Sequence, residues 1–107
     1  SIYVDDLVRE YIVRLVKGTR EREDVALGSS PRGSLALVRG AQAMSLIRGR
    51  DFVLPDDVKE LAVPMLRHRI IPSAAARMQG VQSKDIVGEL IEELAVPGAA
   101  ATGTAGQ

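Results

Sequence analysis

Cysteine and tryptophan are both absent from the sequence, and aromatic residues make up only 3% of it. Without cysteine the chain has no disulfide, no thiolate metal ligand and no thiol nucleophile. A cytoplasmic location is the simplest expectation, because small extracellular domains often depend on disulfides. With two tyrosines and one phenylalanine, the core has to be built from aliphatic side chains, which favours helices over a β-sandwich or barrel.

The sequence also lacks an excess of one charge and a long apolar run. It has 14 basic and 14 acidic residues, whereas a domain that binds duplex nucleic acid usually carries a basic excess. No apolar stretch approaches the ~18 residues that a membrane span needs, and no segment has the pattern of a signal peptide. A length of 107 residues, 46% of them hydrophobic and 26% charged, is typical of one small globular domain.

Hydrophobic periodicity predicts a mainly all-α fold, a small bundle of four to five helices. Apolar repeats, caps and stop residues place the helices at 5–18, about 31–47, about 55–66 and 83–96, with Ser83 as the cap of the last. Pro64 is expected to kink or divide the third helix, because it removes a backbone hydrogen bond and crowds the preceding turn. At most one short extended pair is predicted, formed by about 51–53 and 69–71.

Apolar stripes predict which face of each helix is buried. The stripe of the first helix comprises Val4, Leu7, Val8, Tyr11, Ile12, Leu15 and Val16, and that of the last comprises Ile86, Val87, Leu90, Ile91 and Leu94. On the second helix the candidates are Leu35, Val38, Ala41, Leu46 and Ile47. Small residues recur along this second helix, so a neighbour can approach closely and the helix is expected to be central.

The segments outside the helices carry weaker signals. Residues 19–24 are charged without an apolar period and are predicted to be a solvated loop, and residues 73–82 are predicted to be irregular. The domain is expected to occupy 1–96 and to be followed by a disordered tail over 97–107, which has no large apolar side chain. Because the chain starts with Ser1 and enters a helix almost at once, it is expected to be a piece of a longer protein.

Most candidate catalytic residues have an ordinary structural explanation. His68 is the only histidine and has no acidic residue at ligand spacing, so no metal site is predicted. Paired acids occur at Asp5-Asp6, Asp56-Asp57 and Glu92-Glu93. Adjacent residues on a helix point to different faces, and capping with dipole compensation explains the first two pairs. None of the three is therefore interpreted as a catalytic dyad.

A nucleotide-hydrolysing loop is missing. A Walker A loop needs Gly-Lys followed by Ser or Thr, because the lysine reaches the terminal phosphates and the hydroxyl holds magnesium. The three lysines, Lys17, Lys59 and Lys84, each follow a residue other than glycine, and no buried strand ends in acids as a Walker B motif does. The chain on its own is therefore expected to have no ATPase activity and to carry no cofactor.

The turn Gly28-Ser29-Ser30-Pro31-Arg32 is the remaining candidate site. Ser30 is predicted to be the N-cap of the second helix and Pro31 its first residue. Arg32 then lies in the first helical turn, where a cation is unfavourable by roughly 0.3–1 kcal/mol since the helix N-terminus is already positive. An arginine in this place is useful when an anion lies in front of it, because backbone N–H groups and a guanidinium together bind phosphate.

Six short motifs follow one another in order over about residues 3–71. They are Tyr11-Ile12 with Leu15-Val16, Thr19-Arg20, Gly28 to Arg32, Gly49 to Val53, Pro55 to Val58, and Leu66-Arg67-His68-Arg69. Together they resemble the C-terminal lid of MoxR-family AAA+ ATPases, and 72–96 fits the end of that lid less distinctively. Gly33 departs mildly from the family, which often has alanine there.

The resemblance implies a role for Arg32 as the sensor 2 arginine, which contacts the terminal phosphate of ATP, with Ser30 and Pro31 near the phosphates. ATP and Mg²⁺ would be held mainly by a preceding α/β ATPase domain, upstream of Ser1. The family implies hexameric rings that act in chaperone-like maturation of other proteins, often with partners that carry von Willebrand factor A domains. Magnesium-chelatase ATPase subunits have related lids.

Two alternatives belong to other classes. A free-standing helical module that binds nucleic acid could use Arg48, Arg50, Arg67 and Arg69 as a basic patch, although zero net charge and few aromatic residues argue against it. A plain helical protein-interaction adaptor would show no dependence of any nucleotide-linked property on Arg32.

Overall fold

Helix α1 (Asp6–Gly18) forms where the sequence predicts the first helix. The structure is a computed structural model, and it describes residues 2–94. The Asp5 carboxylate caps it by accepting a hydrogen bond from the Leu7 backbone N–H at 3.2 Å. The apolar stripe faces the core as predicted, and Tyr11 and Ile12 are buried. Leu7 is the exception, with 52% of its surface exposed.

Helices α2 (Arg32–Ile47) and α3 (Pro55–Leu66) pack side by side in opposite directions. The start of α2 meets the end of α3, where a Cβ on Gly33 would lie 3.4 Å from a methyl of Leu66. The end of α2 meets the start of α3, where the Ser45 hydroxyl donates to Asp57 at 3.0 Å. Helix α2 also packs against α1, but α3 packs against α1, α2 and the last helix, Ser83–Glu93, so the prediction that α2 is the central helix is wrong and α3 takes that place.

The predicted buried face of α2 is partly wrong. Ala41 is buried and Val38 is partly buried, but Leu35, Leu46 and Ile47 are 52%, 66% and 85% exposed. The face in contact with α1 and α3 instead repeats every four residues through Gly33, Leu37, Ala41 and Ser45. Because aliphatic residues surround this helix on several sides, its periodicity does not select one face, and the small Gly33 and the polar Ser45 lie on the buried one.

The short extended segments pair differently from the prediction. Strand β1 (Val25–Leu27) pairs with β2 (Ile71–Pro72) in an antiparallel ladder. The predicted pair of 51–53 with 69–71 is therefore wrong, and Phe52 forms a single parallel bridge with Tyr3 instead. The extended conformation near residues 52 and 71 can be predicted from local sequence. The partner of each segment depends on how the helices bring distant parts of the chain together.

Two shorter helices complete the fold, α4 (Ala74–Met78) and α5 (Ser83–Glu93). The irregular structure predicted for 73–82 is wrong for the part that forms α4, which Ser73 caps by accepting from the Ala76 N–H at 3.1 Å, whereas residues 79–82 lie outside helices and strands. Ser83 is the first residue of α5 and not its cap, and its hydroxyl donates to the Ile70 carbonyl at 3.2 Å. Five helices within residues 2–94 agree with the predicted small, mainly α bundle.

Pro64 leaves α3 in one piece, so the predicted division of this helix is wrong. The proline is exposed and lies in the last turn of α3, so only one backbone hydrogen bond is lost, close to the end of the helix. No helix in the described part of the chain is long and apolar enough to cross a membrane. The tail predicted over 97–107 lies outside the described residues.

A buried carboxylate closes the connection between α2 and α3. Asp57 has no exposed surface, and its oxygens accept hydrogen bonds from both guanidinium Nη atoms of Arg50 at 2.7 and 2.8 Å. They also accept from Arg48 at 3.1 Å, from Ser45, and from the Leu54 N–H at 2.8 Å. The last bond is the capping role predicted for the acids in this turn, and the guanidiniums make the buried charge tolerable.

Acid is expected to weaken the fold through this carboxylate. The hydrogen bonds from Arg50 hold the pKa of Asp57 at about 2, below its ordinary value of 3.8. Because the pKa is lower in the folded state, the ionised group stabilises the fold above about pH 4, and about 2 kcal/mol is lost as the pH falls towards 2. Urea unfolding of the wild type and of Asp57→Asn at pH 6, 4, 3 and 2 measures this loss. An equal pH dependence in the two proteins would contradict the assignment.

Candidate functional site

The turn from Gly28 to Arg32 connects β1 to α2 and lies against the residue that follows α1. That residue, Thr19, is fully buried. Its hydroxyl donates to the Val16 carbonyl at 2.6 Å and accepts from the Ser29 N–H at 2.8 Å. A single threonine side chain therefore fixes the turn to the end of α1.

Arg20 holds the same turn from the other side of the peptide. One of its guanidinium Nη atoms donates to the Ser29 carbonyl at 2.9 Å, so both backbone groups of Ser29 are bound by neighbours in the chain. The solvated loop predicted for 19–24 is wrong for this part, because Thr19 is buried and Arg20 makes a specific contact. Farther along, Arg22 also pairs with Asp24 and with carboxylates on α5.

Two glycines leave room for this close packing. A Cβ on Gly28 would lie 2.5 Å from the Thr19 carbonyl oxygen and 2.7 Å from the Arg20 Cα, both backbone atoms that cannot turn aside. A Cβ on Gly33 would instead meet the hydroxyl of Ser29, which is the end of a rotatable side chain. The turn therefore depends on the absence of a side chain at Gly28 more strictly than at Gly33.

We expect Gly28→Ala to destabilise the chain by about 1–3 kcal/mol, because the added methyl pushes the turn away from Thr19. Gly33→Ala is the matched control. Its clash is relieved when Ser29 rotates, and alanine favours a helix by up to about 1 kcal/mol over glycine. Urea unfolding of both variants measures the difference, and a loss at Gly33 equal to that at Gly28 would contradict this view of the turn.

Arg32 is the first residue of α2, and its side chain is exposed. Among the described residues its guanidinium makes no hydrogen bond and no ion pair, and the first turn of α2 contains no acid. Pro31, in a helical conformation, precedes it as the N-cap, so the predicted cap at Ser30 is wrong. Ser30 contributes its carbonyl, which accepts from the Gly33 N–H at 2.9 Å.

The start of α2 therefore combines two features that suit an anion. The helix dipole is positive at this end and Arg32 adds a full positive charge, whereas the N–H groups of Gly33 and Ser34 are already bound to the Ser30 and Pro31 carbonyls at 2.9 and 3.0 Å. The hydrogen bonds of Thr19 and Arg20 hold the turn in place, so the guanidinium extends from a fixed base. Chemically, this arrangement can bind a phosphate group presented from outside the domain.

The four arginines considered as a nucleic-acid patch do not lie together. Arg48 and Arg50 are at the end of α2 that meets Asp57, and both bind that carboxylate. Arg67 and Arg69 follow the opposite end of α3, next to the start of α2. Twelve residues of α3 separate the two pairs, a distance of about 18 Å, so they form no single patch.

Comparison with known proteins identifies the family to which this fold and these motifs belong. A family model described as the AAA lid domain matches residues 17–90, which include α1's end, the whole turn and the helices after it. The chain belongs to the AAA lid domain family. The MoxR-type lid that the sequence resembles is confirmed by relatives that carry the MoxR name.

Two relatives and one solved structure show how far the similarity extends. Chaperone MoxR1 of Mycobacterium tuberculosis is 33% identical over 104 residues, which cover 89% of the lid and 28% of that protein. The uncharacterized protein YeaC of Bacillus subtilis is 43% identical over 97 residues, covering 91% and 30%. A crystal structure assigned as an ATPase, from Cytophaga hutchinsonii, has a TM-score of 0.83 at 30% identity and covers 89% of the lid and 32% of that chain.

The lid thus spans about 30% of the length of the relatives it matches.

The sequence predicted Arg32 as a site residue from its place at a helix start, but it did not predict the residues that support the turn. Thr19 and Arg20 appeared only as part of a motif, and Asp57 appeared as one of two adjacent acids. The available signal for Asp57 was its place three residues after Leu54, the N3 position from which an acidic side chain can accept a hydrogen bond from the N-cap backbone N–H.

Proposed function

We propose that this lid supplies Arg32 to the ATP site of a MoxR-type AAA+ ATPase, as its sensor 2 arginine. The observation that carries the proposal is the exposed, unpaired guanidinium of Arg32 at a helix start that no side chain caps, within the residues that the structure describes. A charge in this position has no structural use inside the lid. It is suited to a phosphate that another domain presents.

In this proposal ATP and Mg²⁺ are held mainly by an α/β ATPase domain that lies outside this chain. Arg32 contacts the terminal phosphate and stabilises the charge that develops during phosphoryl transfer. Ser30 and Pro31 lie next to it and set the path of the turn near the phosphates. Once the terminal phosphate is cleaved, the contact is lost and the lid is free to move, which reports hydrolysis to the rest of the protein.

The wider role follows from the family and is also proposed. The full-length protein would form a hexameric ring and use ATP for chaperone-like maturation or remodelling of partner proteins, in the cytoplasm. The name of the mycobacterial relative, a chaperone, supports this. Partners with von Willebrand factor A domains are proposed from the MoxR resemblance alone.

Nucleotide affinities of the full-length protein test the contact itself. We expect Arg32→Ala to weaken ATP binding about tenfold, since one charge-assisted contact to the terminal phosphate is lost. ADP lacks that phosphate, so its affinity should change less than about twofold. Titration of fluorescent ATP and ADP analogues measures both. An equal loss for the two nucleotides would place Arg32 away from the terminal phosphate and contradict the proposal.

A further inference from the structure

A second cationic site lies away from the turn, in a cleft of about 370 Å³ between the end of α3, helix α4 and the start of α5. The cleft is lined by four basic side chains and by apolar and neutral polar residues. The basic ones are Arg67, His68, Arg77 and Lys84, and Pro72 and Val81 supply apolar surface. No carboxylate is among the lining residues that the structure describes.

The three permanent cations in this cleft have no carboxylate partner among the described residues of the lid. Arg67, Arg77 and Lys84 are exposed and make no ion pair within residues 2–94. By contrast, Arg22 and Arg50 each bind a carboxylate at 3 Å or less. In a chain with equal numbers of acidic and basic residues, the cleft is therefore a local concentration of positive charge, and Lys84 alone of its cations also lines the neighbouring cavity that contains Asp85, Glu89 and Glu92.

Helix-end electrostatics explain only part of this charge. Arg67 directly follows α3, where a cation is favourable next to the negative end of the helix dipole. Arg77 lies in the last turn of α4, where a cation is favourable for the same reason, and only Lys84, in the first turn of α5, is in an unfavourable place. Three separate elements thus direct cations into one cleft, and for Lys84 this is against the local preference.

The shape and chemistry of the cleft favour carboxylates on an extended segment over a compact phosphate. The start of α5 is already served by an anion, because the Asp85 carboxylate accepts from the Gln82 N–H at 2.9 Å. The backbone N–H groups on which phosphate sites usually depend are thus partly occupied. Nucleic acid is also disfavoured, since no phenylalanine, tyrosine or tryptophan lines the cleft for base stacking.

We propose that this cleft binds an acidic segment of a protein partner, with carboxylates on Arg67, Arg77 and Lys84 and an apolar side chain against Pro72 and Val81. Charge complementarity selects the partner, and guanidinium groups pair with carboxylates in a bidentate manner. The site is separate from the turn at Arg32. Its occupation needs no nucleotide, so it stands or falls independently of the sensor role.

Fluorescence anisotropy with the 107-residue chain tests this proposal. The probe is a fluorescein-labelled peptide of ten residues that alternates glutamate with leucine or alanine, and the control peptide has glutamine at every glutamate. We expect binding of the acidic peptide only, weakened several-fold between 50 and 300 mM salt. The double variant Arg67→Gln/Arg77→Gln should weaken it about tenfold. Arg9→Gln, an exposed arginine on α1, is the matched control and should leave it unchanged.

Three results would overturn the proposal. The first is equal binding of the acidic and glutamine peptides, and the second is an equal effect of the Arg9 and Arg67/Arg77 variants. The third is displacement of the peptide by pyrophosphate or by single-stranded oligothymidine at lower concentration than by unlabelled peptide, which would make the cleft a phosphate or nucleic-acid site. Circular dichroism of each variant confirms that the helices are retained, so a loss of binding reports the cleft itself.

Discussion

Replacing Arg32 by alanine in the full-length protein is expected to lower ATP turnover about a hundredfold. Removal of one preorganised group that stabilises transition-state charge typically costs a factor of 10²–10³ in kcat, and arginines that act on a transferred phosphoryl group reach higher values. The variant should be as stable as the wild type. The side chain is exposed and unpaired among the described residues, and removing a cation from a helix start is at worst neutral.

Arg39→Ala is the matched control for this variant. Arg39 is also exposed and lies on the same face of α2, two turns after Arg32. It should keep turnover within about twofold of the wild type, since it is about 10 Å farther along the helix. Steady-state phosphate release, together with thermal unfolding of each variant, measures both effects. Wild-type turnover in Arg32→Ala, or an equal loss in Arg39→Ala, would mean that the site has been misassigned.

Asp57→Asn is expected to destabilise the domain by about 3–5 kcal/mol, the typical cost of breaking a buried ion pair by removing one partner. The asparagine has nearly the same shape, so it leaves no cavity. It removes the charge that the guanidiniums of Arg48 and Arg50 bind, and its amide nitrogen cannot accept the hydrogen bonds that one Asp57 oxygen receives. Arg48 retains Glu60, whereas Arg50 loses its carboxylate.

Asp56→Asn is the natural comparison. Asp56 is adjacent in the same first turn of α3 but exposed, so it contributes mainly through the helix dipole and its loss should cost less than about 1 kcal/mol. Urea unfolding of the two single variants at pH 7 gives the difference directly. Similar losses at both positions would show that the buried network contributes little beyond helix-end electrostatics.

The limits of sequence reasoning are clearest on the helices themselves. The apolar residues of α1 lie on one stripe with charges elsewhere, so the buried face was predicted with only Leu7 in error. Helix α2 has aliphatic residues on several sides, and its buried face is set by contacts with Leu66 and Asp57 that only the fold creates. The strand partners were missed for the same reason, because Leu27 pairs with Ile71, a residue 44 positions later in the chain.

The candidate site likewise has features that local sequence predicts and features that depend on long-range packing. The placement of Arg32 at a helix start follows from Pro31 and the apolar repeat that comes after it. The contacts that support the turn cannot be predicted in this way. The Thr19 hydroxyl and the Arg20 guanidinium, just after α1, form hydrogen bonds with Ser29 only because β1 returns the chain to the end of α1. Local sequence therefore predicts where a charge lies, and long-range packing determines how firmly it is held.

A structure of the full-length protein with a non-hydrolysable ATP analogue and Mg²⁺ tests the central claim most directly. The measured quantity is the distance from the guanidinium nitrogens of Arg32 to the terminal phosphate oxygens. We expect about 2.7–3.2 Å, as in charge-assisted hydrogen bonds, and the same map would show whether the nucleotide belongs to the same subunit or to a neighbour. A filled nucleotide site with Arg32 more than about 6 Å from every phosphate oxygen, too far even for one bridging water, would contradict the account.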